Sequence, residues 1–240
     1  EEFLRVMRET PGKISKTRIF HRGDPKHPTD EVQPAALTIG SPPDRQRKFQ
    51  GNDPNLPTTG RRLAYARWLT SGRHPLTARV LVNRVWQQHF GRGLVSTPDE
   101  FGKLGEMPTH PELLDWLADE FMASGWSLKQ LHRTIMTSQV YRQSSKFDSA
   151  RAAADPDNQL YWRKPVSRLD AEVVRDSILA TSGALGSLFL GAPTAVLADA
   201  DGQIVEGADP SRRSIYIQVR RSRPVSMLAT FDAPAMEVNC

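Results

Sequence analysis

The chain has 240 residues, of which 38% are hydrophobic and 25% charged, a composition typical of a globular protein that can bury a sizeable core. Its formal net charge is +5, and no apolar run approaches the length of a membrane-spanning helix. A single cysteine, Cys240, excludes an internal disulfide, a cysteine-rich zinc site and a covalent haem motif within these residues.

The N-terminal part is predicted to be mostly extended. Residues 21–60 hold seven of the 18 prolines, and proline at this spacing prevents helix formation. The stretch "KTRIFHRGD", which begins at Lys16, has the pattern of a short strand. We therefore predict a Pro-rich segment over residues 1–60 that packs on a mainly helical domain over residues 61–240.

The pattern then becomes helical. The stretch "RRLAYARWLTSG" predicts a helix that ends near Gly72, because glycine suits the C-terminal cap. The next helix is predicted to start near Pro75, in "PLTARVLVNRVWQQHFGRG", and to be ended by the glycines of this stretch. Its buried face is predicted to hold Val82, Trp86 and Phe90, which recur at helical spacing.

Two capping boxes predict the starts of two further helices, one at Thr109 with Glu112 and one at Ser127 with Gln130. The second of these helices is predicted to run to about residue 140. Its predicted buried stripe is Leu128, Leu131 and Ile135.

A last long helix is predicted to be capped by Ser167 and to stop at Gly183. Beyond it, Asp201 and Gly202 indicate a hairpin turn, and the alternation in "SRRSIYIQVRRSRP" (211–224) predicts a strand. The predicted fold class is therefore mainly α, a helical domain with a small antiparallel β element formed near the N- and C-terminal parts.

Arginine and acidic residues occupy adjacent blocks of opposite sign. Residues 61–92 hold seven arginines and no acid, whereas residues 99–120 hold seven acids and one lysine. Arginine pairs well with carboxylates because of its planar fork. We therefore predict that the two blocks largely neutralise each other and that the basic block has no nucleic-acid partner.

An alternative is helix-turn-helix binding of nucleic acid by the helix pair 109–140. Its contacts would come from Lys129, His132, Arg133 and Arg142. The first turn of the second helix holds leucines rather than polar side chains that could contact base edges, and the preceding helix is acidic. Both features disfavour this alternative.

Metal and catalytic motifs give no assigned site. The six histidines lack the spacing of known metal motifs, and each is predicted to be a structural side chain. The acidic stretch 199–209 offers Asp199 and Asp201 as calcium ligands. The twelfth residue, counted from Asp199, is Pro210, where a calcium loop needs glutamate. No metal is therefore predicted apart from this calcium alternative.

A carbohydrate-active enzyme, or a carbohydrate-binding component, is the other alternative. Paired carboxylates can hydrolyse glycosidic bonds. The candidate residues lie near the loop 96–110 and in the C-terminal stretch, without assigned roles, and are Asp99, Glu100, Glu106, His110 and Arg220.

Several long stretches carry a resemblance to a known family. They are "HPLTARVLVNRVWQQHFGRGLVSTPDEFGKLGEMPTHPELLDWLADEF", "SLKQLHRTIMTSQVYRQSS", "RLDAEVVRDSILATSG" and "RRSIYIQVRRS", with "FHRGDP" preceding them. Together they resemble the planctomycete-type domain of unknown function fifteen fifty-three, from about residue 18 to the C-terminus.

The resemblance implies a context rather than a reaction. Members of this family are typically the C-terminal part of large exported proteins that follow a cytochrome-c-like domain. It therefore implies an extracytoplasmic location, upstream domains of the same polypeptide as partners, and haem c in one of those domains, with no cofactor in this segment. A polysaccharide or a redox protein is a further implied partner. We expect a non-catalytic scaffold or interaction module.

Overall fold

A computed structural model of the chain describes residues 9–10, 13–14, 16–36, 48–207 and 209–233. The chain folds into two compact units, Glu1–Pro165 and Val166–Cys240. Cys240 and the central part of the Pro-rich segment lie outside the described residues. The predicted domain boundary at residue 60 stays a prediction.

Among its described residues, the first unit holds one hairpin and six helices. They are β1 (Thr17–Phe20), β2 (Pro28–Val32), α1 (Arg61–Leu69), α2 (Thr77–Phe90), α3 (Pro111–Ala123), α4 (Leu128–Thr137), α5 (Gln139–Arg142) and α6 (Ser149–Ala154). The strands are antiparallel, and Thr17 pairs with Val32. The predicted strand in "KTRIFHRGD" is thus confirmed.

Helix α2 matches its prediction closely. Before its first turn, the imidazole Nδ1 of His74 accepts hydrogen bonds from the backbone N–H groups of Leu76 and Thr77, at 3.2 and 3.1 Å. The helix ends at Gly91, whose φ of 77° is left-handed and whose N–H donates to the Gln87 carbonyl. An imidazole therefore satisfies orphan donors at the N-terminus, and glycine allows the turn at the other end.

The core of the first unit is built on the predicted face of α2. Val82, Trp86 and Phe90 are buried and belong to one apolar cluster with residues of α3 and α4, among them Phe121 and Ile135. Each large side chain that is fully buried in this way contributes about 1.5–3 kcal/mol. The Trp86 Nε1–H also donates to the Tyr161 hydroxyl at 2.8 Å, and burial raises the pKa of Tyr161.

Two of the predicted helix starts in this unit have different outcomes. The Ser127 hydroxyl accepts from the Gln130 N–H, which confirms Ser127 as the N-cap predicted by the second box. The box at Thr109 is wrong, because His110 is the N-cap and Pro111 is the first helical residue, while the Thr109 hydroxyl donates to the Leu94 carbonyl.

The predicted helix 127–140 is also interrupted. Ser138 ends α4 with an extended backbone, and its hydroxyl caps α5 by accepting from the Tyr141 N–H. The predicted burial of Leu128 is wrong as well, since this side chain is exposed in the first turn of α4, whereas Leu131 and Ile135 are buried.

The second unit holds α7 (Ala171–Thr181), β3 (Val196–Ala198), β4 (Ile204–Glu206) and α8 (Ser226–Thr230). Asp170 rather than Ser167 is the N-cap of α7, which corrects the predicted cap. Strands β3 and β4 are antiparallel, and Gly202 in the turn has a φ of 77°, which confirms the predicted hairpin. The predicted fold class is confirmed, since two small two-stranded antiparallel sheets accompany the helices.

The predicted strand over 211–224 is wrong. Residues Ser214–Tyr216 form a 3-10 turn, and Ile217 makes only an isolated bridge to Thr194. The reason is that Arg212 and Ser214, both polar, are buried through specific hydrogen bonds, while the apolar Ile215 is exposed. In the described part of the chain, no helix has the length and apolarity that crossing a bilayer demands.

Candidate functional site

Two of the three carboxylates predicted around the loop 96–110, those of Asp99 and Glu100, are engaged with their own surroundings. Asp99 is exposed and pairs with Arg84 at 3.0 Å, whereas a Glu100 carboxylate oxygen accepts from the Gly102 N–H at 2.8 Å. The Glu106 backbone N–H donates to the Thr97 hydroxyl. These contacts shape the loop.

The hydrogen bonds of the other predicted candidates are local, although the His110 ring also lies 5.6 Å from that of Tyr161. His110 forms a 3.0 Å hydrogen bond between its Nδ1 and the neighbouring Thr109 hydroxyl. Arg220 belongs to the second unit, where its Nε–H donates to the Gln218 side-chain oxygen at 2.8 Å. The contacts assign neither residue a chemical role.

The predicted calcium ligands lie in the turn between β3 and β4. One Asp199 carboxylate oxygen accepts from the N–H groups of Asp201 and Gln203, at 3.0 and 2.8 Å. Such bonds are those of an Asx turn, which stabilises a hairpin without metal. Across the described residues, no group of three or more His, Cys, Asp or Glu side chains could hold a metal ion.

The opposite charge blocks meet at two ion pairs. The Arg79 Nε–H donates to Asp115 at 2.6 Å, and this hydrogen bond lowers the pKa of the Asp115 carboxyl. The second pair is that of Arg84 with Asp99. Both link α2 to the acidic segment that follows it, so the predicted pairing of the two blocks is observed for Arg79 and Arg84, two of the seven arginines of the basic block.

Two histidines that are far apart in the sequence meet in the first unit. His89 lies in the last turn of α2 and His132 in the first half of α4, and Nε2 of His89 is 2.8 Å from Nδ1 of His132. The rings have centroids 5.0 Å apart at 73°. Burial, followed by the charges of His132 and Lys164, lowers the pKa of His89. The imidazole of His89 is thus favoured in its neutral form.

Lys164 contacts the backbone of His89 in this pair. Its ammonium donates to the His89 carbonyl at 2.5 Å and lies 4.4 Å from the Phe90 ring centroid and 3.9 Å from that of Tyr141. A cation at a helix C-terminus is favoured by the helix dipole, and the two aromatic faces add cation–π attraction. Burial lowers the pKa of Lys164.

The second unit is organised by two buried arginines. Arg175 of α7 donates to Glu206 at 2.6 Å, and its other nitrogens donate to the carbonyls of Pro210 and Arg212. Ser214 joins this network, since its hydroxyl donates to Asp176 at 2.7 Å. The first arginine therefore connects α7, β4 and the 3-10 turn.

Arg212 is the second buried arginine, with 5% exposure. It donates to the carbonyls of Leu190 and Ala192, at 2.5 and 2.6 Å, and its guanidinium lies 4.3 Å from the Tyr216 ring centroid. The Tyr216 hydroxyl accepts from the Leu190 N–H at 3.1 Å. Arg212 and Tyr216 together hold the backbone at Leu190 and Ala192.

The residues held in this way expose apolar side chains. Leu188, Phe189 and Leu190 are 60%, 65% and 76% exposed, and we call them the apolar tip. Leu190 has a φ of 66°, a left-handed value that is rare for leucine. The apolar tip is therefore exposed, and its backbone is held at Leu190 by Arg212 and Tyr216.

A groove of about 730 Å³ also opens in the second unit. Its wall includes Val173, Ile215 and Val219, while carboxylates of Asp170 and Glu172 belong to its lining. Its apolar wall is largely exposed, as the tip is. The second unit therefore presents apolar surface at both the tip and the groove.

Sequence reasoning missed the histidine pair and the apolar tip for one physical reason. His89 and His132 are separated by 43 positions, and Arg212 reaches carbonyls some 20 positions away. Periodicity reports only which face of an element is buried. A signal for the tip was present in "SLFLG", an apolar run outside any predicted helix or strand.

Comparison with known proteins gives one match. The model of a family described as "Protein of unknown function (DUF1553)", PSD1, matches residues 61–240. No curated protein and no solved structure matches the chain significantly. The matched range covers well over half of the chain and includes every stretch that carried the resemblance except "FHRGDP". The chain therefore belongs to the DUF1553 family, whose description assigns no activity.

Proposed function

We propose that the chain is a non-catalytic interaction module of a larger exported protein, and that the apolar tip is its contact surface. The observation that carries this proposal is that a buried guanidinium holds the backbone at Leu190, the last of three consecutive exposed apolar residues. Contiguous exposed apolar groups of this kind are typical of surfaces that bind another protein.

The energetic argument starts from the cost of Arg212. A buried guanidinium loses its hydration, which costs several kcal/mol unless hydrogen bonds and aromatic contacts replace it. Arg212 gains two carbonyls and the Tyr216 ring, but its Nε has no hydrogen-bond partner among the described residues. The left-handed Leu190 adds about 1–3 kcal/mol of strain. Both costs arise where Arg212 and Tyr216 hold the backbone at the end of the apolar tip.

A fixed protrusion binds better than a mobile one. Ordering a flexible side chain on binding costs about 0.5–1.5 kcal/mol for each residue, and a loop that is already ordered avoids most of this cost. Phe189 can bury a large area in a partner pocket with only two side-chain torsions to fix. The apolar tip has the properties expected of such an anchor.

The proposed occupant is an upstream domain of the same polypeptide. The family resemblance supports this choice, since members typically follow a cytochrome-c-like domain in exported proteins. In that arrangement haem c belongs to the upstream domain, and the proposed location is periplasmic or secreted. A polysaccharide or redox partner would then be bound by the whole polypeptide.

Hydroxyl-radical footprinting of the full-length protein tests the proposal. Side-chain oxidation at Leu188, Phe189 and Leu190 is compared between the full-length protein and the 240-residue chain. We expect strong protection of the tip in the full-length protein, visible as a severalfold lower oxidation rate. Leu104 and Met107, which are 89% and 83% exposed, are the matched controls and should keep their oxidation rates. Equal oxidation of the tip in both proteins would refute the proposed contact.

The two alternatives stay predictions. For the carbohydrate-active alternative, Asp99 contacts Arg84, Glu100 contacts its own loop, and His110 contacts Thr109 and the Tyr161 ring. For nucleic-acid binding, Lys129 and Arg133 are exposed on α4, but α3 before it carries Asp115, Asp119 and other acids. Neither set of contacts favours these functions over the interaction module.

A further inference from the structure

The groove of the second unit combines exposed apolar side chains with carboxylates. Val173 of α7 contributes to its wall, and so do Ile215 and Val219 of the segment 213–219. These three side chains are 45%, 82% and 76% exposed, so the groove leaves apolar surface in contact with water. We propose that this groove, about 730 Å³ in volume, binds a segment of a partner protein that carries apolar side chains and one lysine or arginine.

The wall formed by the segment 213–219 is held in place without a partner. The Ser214 backbone N–H and hydroxyl both donate to one Asp176 carboxylate oxygen, at 2.8 and 2.7 Å, which ties the segment to α7. The buried Arg175 donates to the Ser214 hydroxyl at 3.3 Å and to the Arg212 carbonyl at 2.9 Å. Ser214 cannot move away without leaving buried polar groups unpaired. Because this wall is already ordered, a partner that binds there avoids the cost of ordering it.

The charges of the lining favour a cation in the partner. Three carboxylates line the groove, those of Asp170, Glu172 and Asp176. Asp176 accepts the two bonds from Ser214 and lies 3.7 Å from the buried guanidinium of α7, so its charge is largely offset. The carboxylates of Asp170 and Glu172, at the start of α7, have no hydrogen bond or ion pair with the residues that the structure describes. They are therefore available to a cation.

Arg213 limits how basic the partner can be. It is the one guanidinium in the lining, it is exposed, and it has no ion pair within the described part of the chain. Its charge offsets one of the two available carboxylates. A segment with a single lysine or arginine among apolar residues therefore matches the groove better than a polybasic segment. The long aliphatic stem of lysine or arginine can itself pack on the apolar wall while its charged end reaches a carboxylate.

The proposed site is independent of the apolar tip and of the proposed function. Leu188, Phe189 and Leu190 do not belong to the lining of the groove. Phe189→Ser should therefore leave binding at the groove unchanged. Loss of protection at the tip in the footprinting experiment would likewise leave the groove proposal untouched, so the two proposals can fail separately.

The test uses a fluorescein-labelled, leucine-rich peptide with one central lysine as the probe. At low ionic strength, fluorescence anisotropy should show that it binds to the 240-residue chain. A matched peptide with glutamate in place of lysine should bind severalfold more weakly, because its carboxylate would meet those of Asp170 and Glu172. Nuclear magnetic resonance locates the site, and the amide shifts should change at Val173 and Ile215.

Two variants test the two kinds of contact. Ile215→Ser should weaken binding of the lysine peptide about tenfold, since it removes an apolar side chain from the wall. Glu172→Gln should weaken it about two- to fivefold, the effect of a partly exposed ion pair. Leu104→Ser is the control for the first variant, because Leu104 is 89% exposed and lies in the first unit. Glu112→Gln is the control for the second, because Glu112 is an exposed acid in the first turn of α3.

Both controls should bind the lysine peptide as the unaltered chain does, and circular dichroism checks that all variants are folded. The proposal is overturned if the lysine peptide does not bind, if both peptides bind equally, or if Ile215→Ser and the unaltered chain have the same affinity. A second copy of the chain as the occupant would also overturn it. Sedimentation velocity would then show concentration-dependent dimerisation that Ile215→Ser abolishes.

Discussion

Asn83 of α2 and Gly93, which follows the end of that helix, form a crowded buried corner. The Asn83 side chain donates to the Val95 carbonyl at 2.9 Å and accepts from the Val95 N–H at 2.8 Å, in the manner of a neighbouring strand. A Cβ on Gly93 would lie 2.5 Å from the Val95 carbonyl oxygen and 2.7 Å from the Asn83 amide. Glycine at position 93 is required by this close approach and not by its torsion angles.

Gly93→Ala should therefore destabilise the first unit by about 1–3 kcal/mol, the usual cost of overpacking a buried site. Gly91→Ala is the matched control, because nothing lies within 4 Å of its Cβ position and only its left-handed φ opposes alanine. That strain costs about 1–2 kcal/mol. Urea denaturation followed by tryptophan fluorescence measures both variants. In Gly93→Ala, unlike Gly91→Ala, the hydrogen exchange of the Val95 amide should also accelerate; unchanged exchange would contradict the proposed crowding.

Asn83→Ala should cost about 2–4 kcal/mol, since it leaves both backbone groups of Val95 buried without partners and creates a cavity. Asn55→Ala, in an exposed turn, is the control and should cost less than about 0.5 kcal/mol. The same denaturation experiment compares them. Equal costs for the two variants would show that the Asn83 hydrogen bonds do not stabilise the corner.

At the scale of elements, α2 has a histidine at each end whose pKa is lowered. Burial lowers the pKa of His74, which caps the N-terminus, and that of His89 near the C-terminus. Such a histidine binds fewer protons in the folded state than in the unfolded state, so acidification favours unfolding. Its stabilising effect is complete above the ordinary pKa of about 6.5 and is lost as the pH falls below it.

His74→Asn should reduce this pH dependence. The asparagine side-chain oxygen can accept the hydrogen bonds of the Leu76 and Thr77 N–H groups but does not titrate in this range. On acidification from about pH 7.5 to about pH 5, we expect the free energy of unfolding to fall less in this variant than in the unaltered chain. His89 accounts for part of the pH dependence that remains. His21→Asn, in the exposed turn after β1, serves as the control. An identical pH profile for His74→Asn and the unaltered chain would contradict the capping role of His74.

A helix or strand is well predicted when the residues that determine it are close in the sequence, and poorly predicted when its contacts are distant in the sequence. The bounds of α2 follow from apolar spacing and from Gly91, which are local features. The strand predicted over 211–224 is wrong because the alternation of this stretch assigns its apolar residues to the core. Arg212 and Ser214 instead become buried through the carbonyls of residues 190 and 192 and through Asp176, none of which is near in sequence.

The candidate sites were less predictable than the fold for the same reason. His89 and His132 are each predicted to be structural side chains, like the other four histidines, and nothing in their local sequence indicates that they meet. Their 2.8 Å contact depends on the packing of α2 against α4, which a single sequence does not report. Similarly, Thr109 and Glu112 satisfy the capping-box pattern, but Pro111 makes a better first helical residue and moves the N-cap to His110.

At the scale of the whole molecule, the positions of the tryptophans and of the ion pairs allow the unfolding of the two units to be distinguished. The five tryptophans, at positions 68, 86, 116, 126 and 162, all belong to the first unit. The buried ion pair of Arg175 with Glu206 belongs entirely to the second. The exposed pair of Arg84 with Asp99 belongs to the first. The first unit therefore has a fluorescence signal of its own, and each unit contains an ion pair that can be altered separately.

Glu206→Ala should destabilise the second unit by about 3–5 kcal/mol, because it leaves the Arg175 guanidinium buried without its closest carboxylate. Asp99→Asn is the matched control and should cost less than about 1 kcal/mol, since both partners of that pair are exposed. In urea, the loss of far-ultraviolet circular dichroism from α7 and α8 should move to lower denaturant in Glu206→Ala, while the tryptophan fluorescence transition keeps its midpoint. Because the Arg175 network connects only elements of the second unit, its loss has no direct route to the tryptophan environments. A fluorescence midpoint that shifts together with the circular dichroism would show instead that the two units unfold as one cooperative structure.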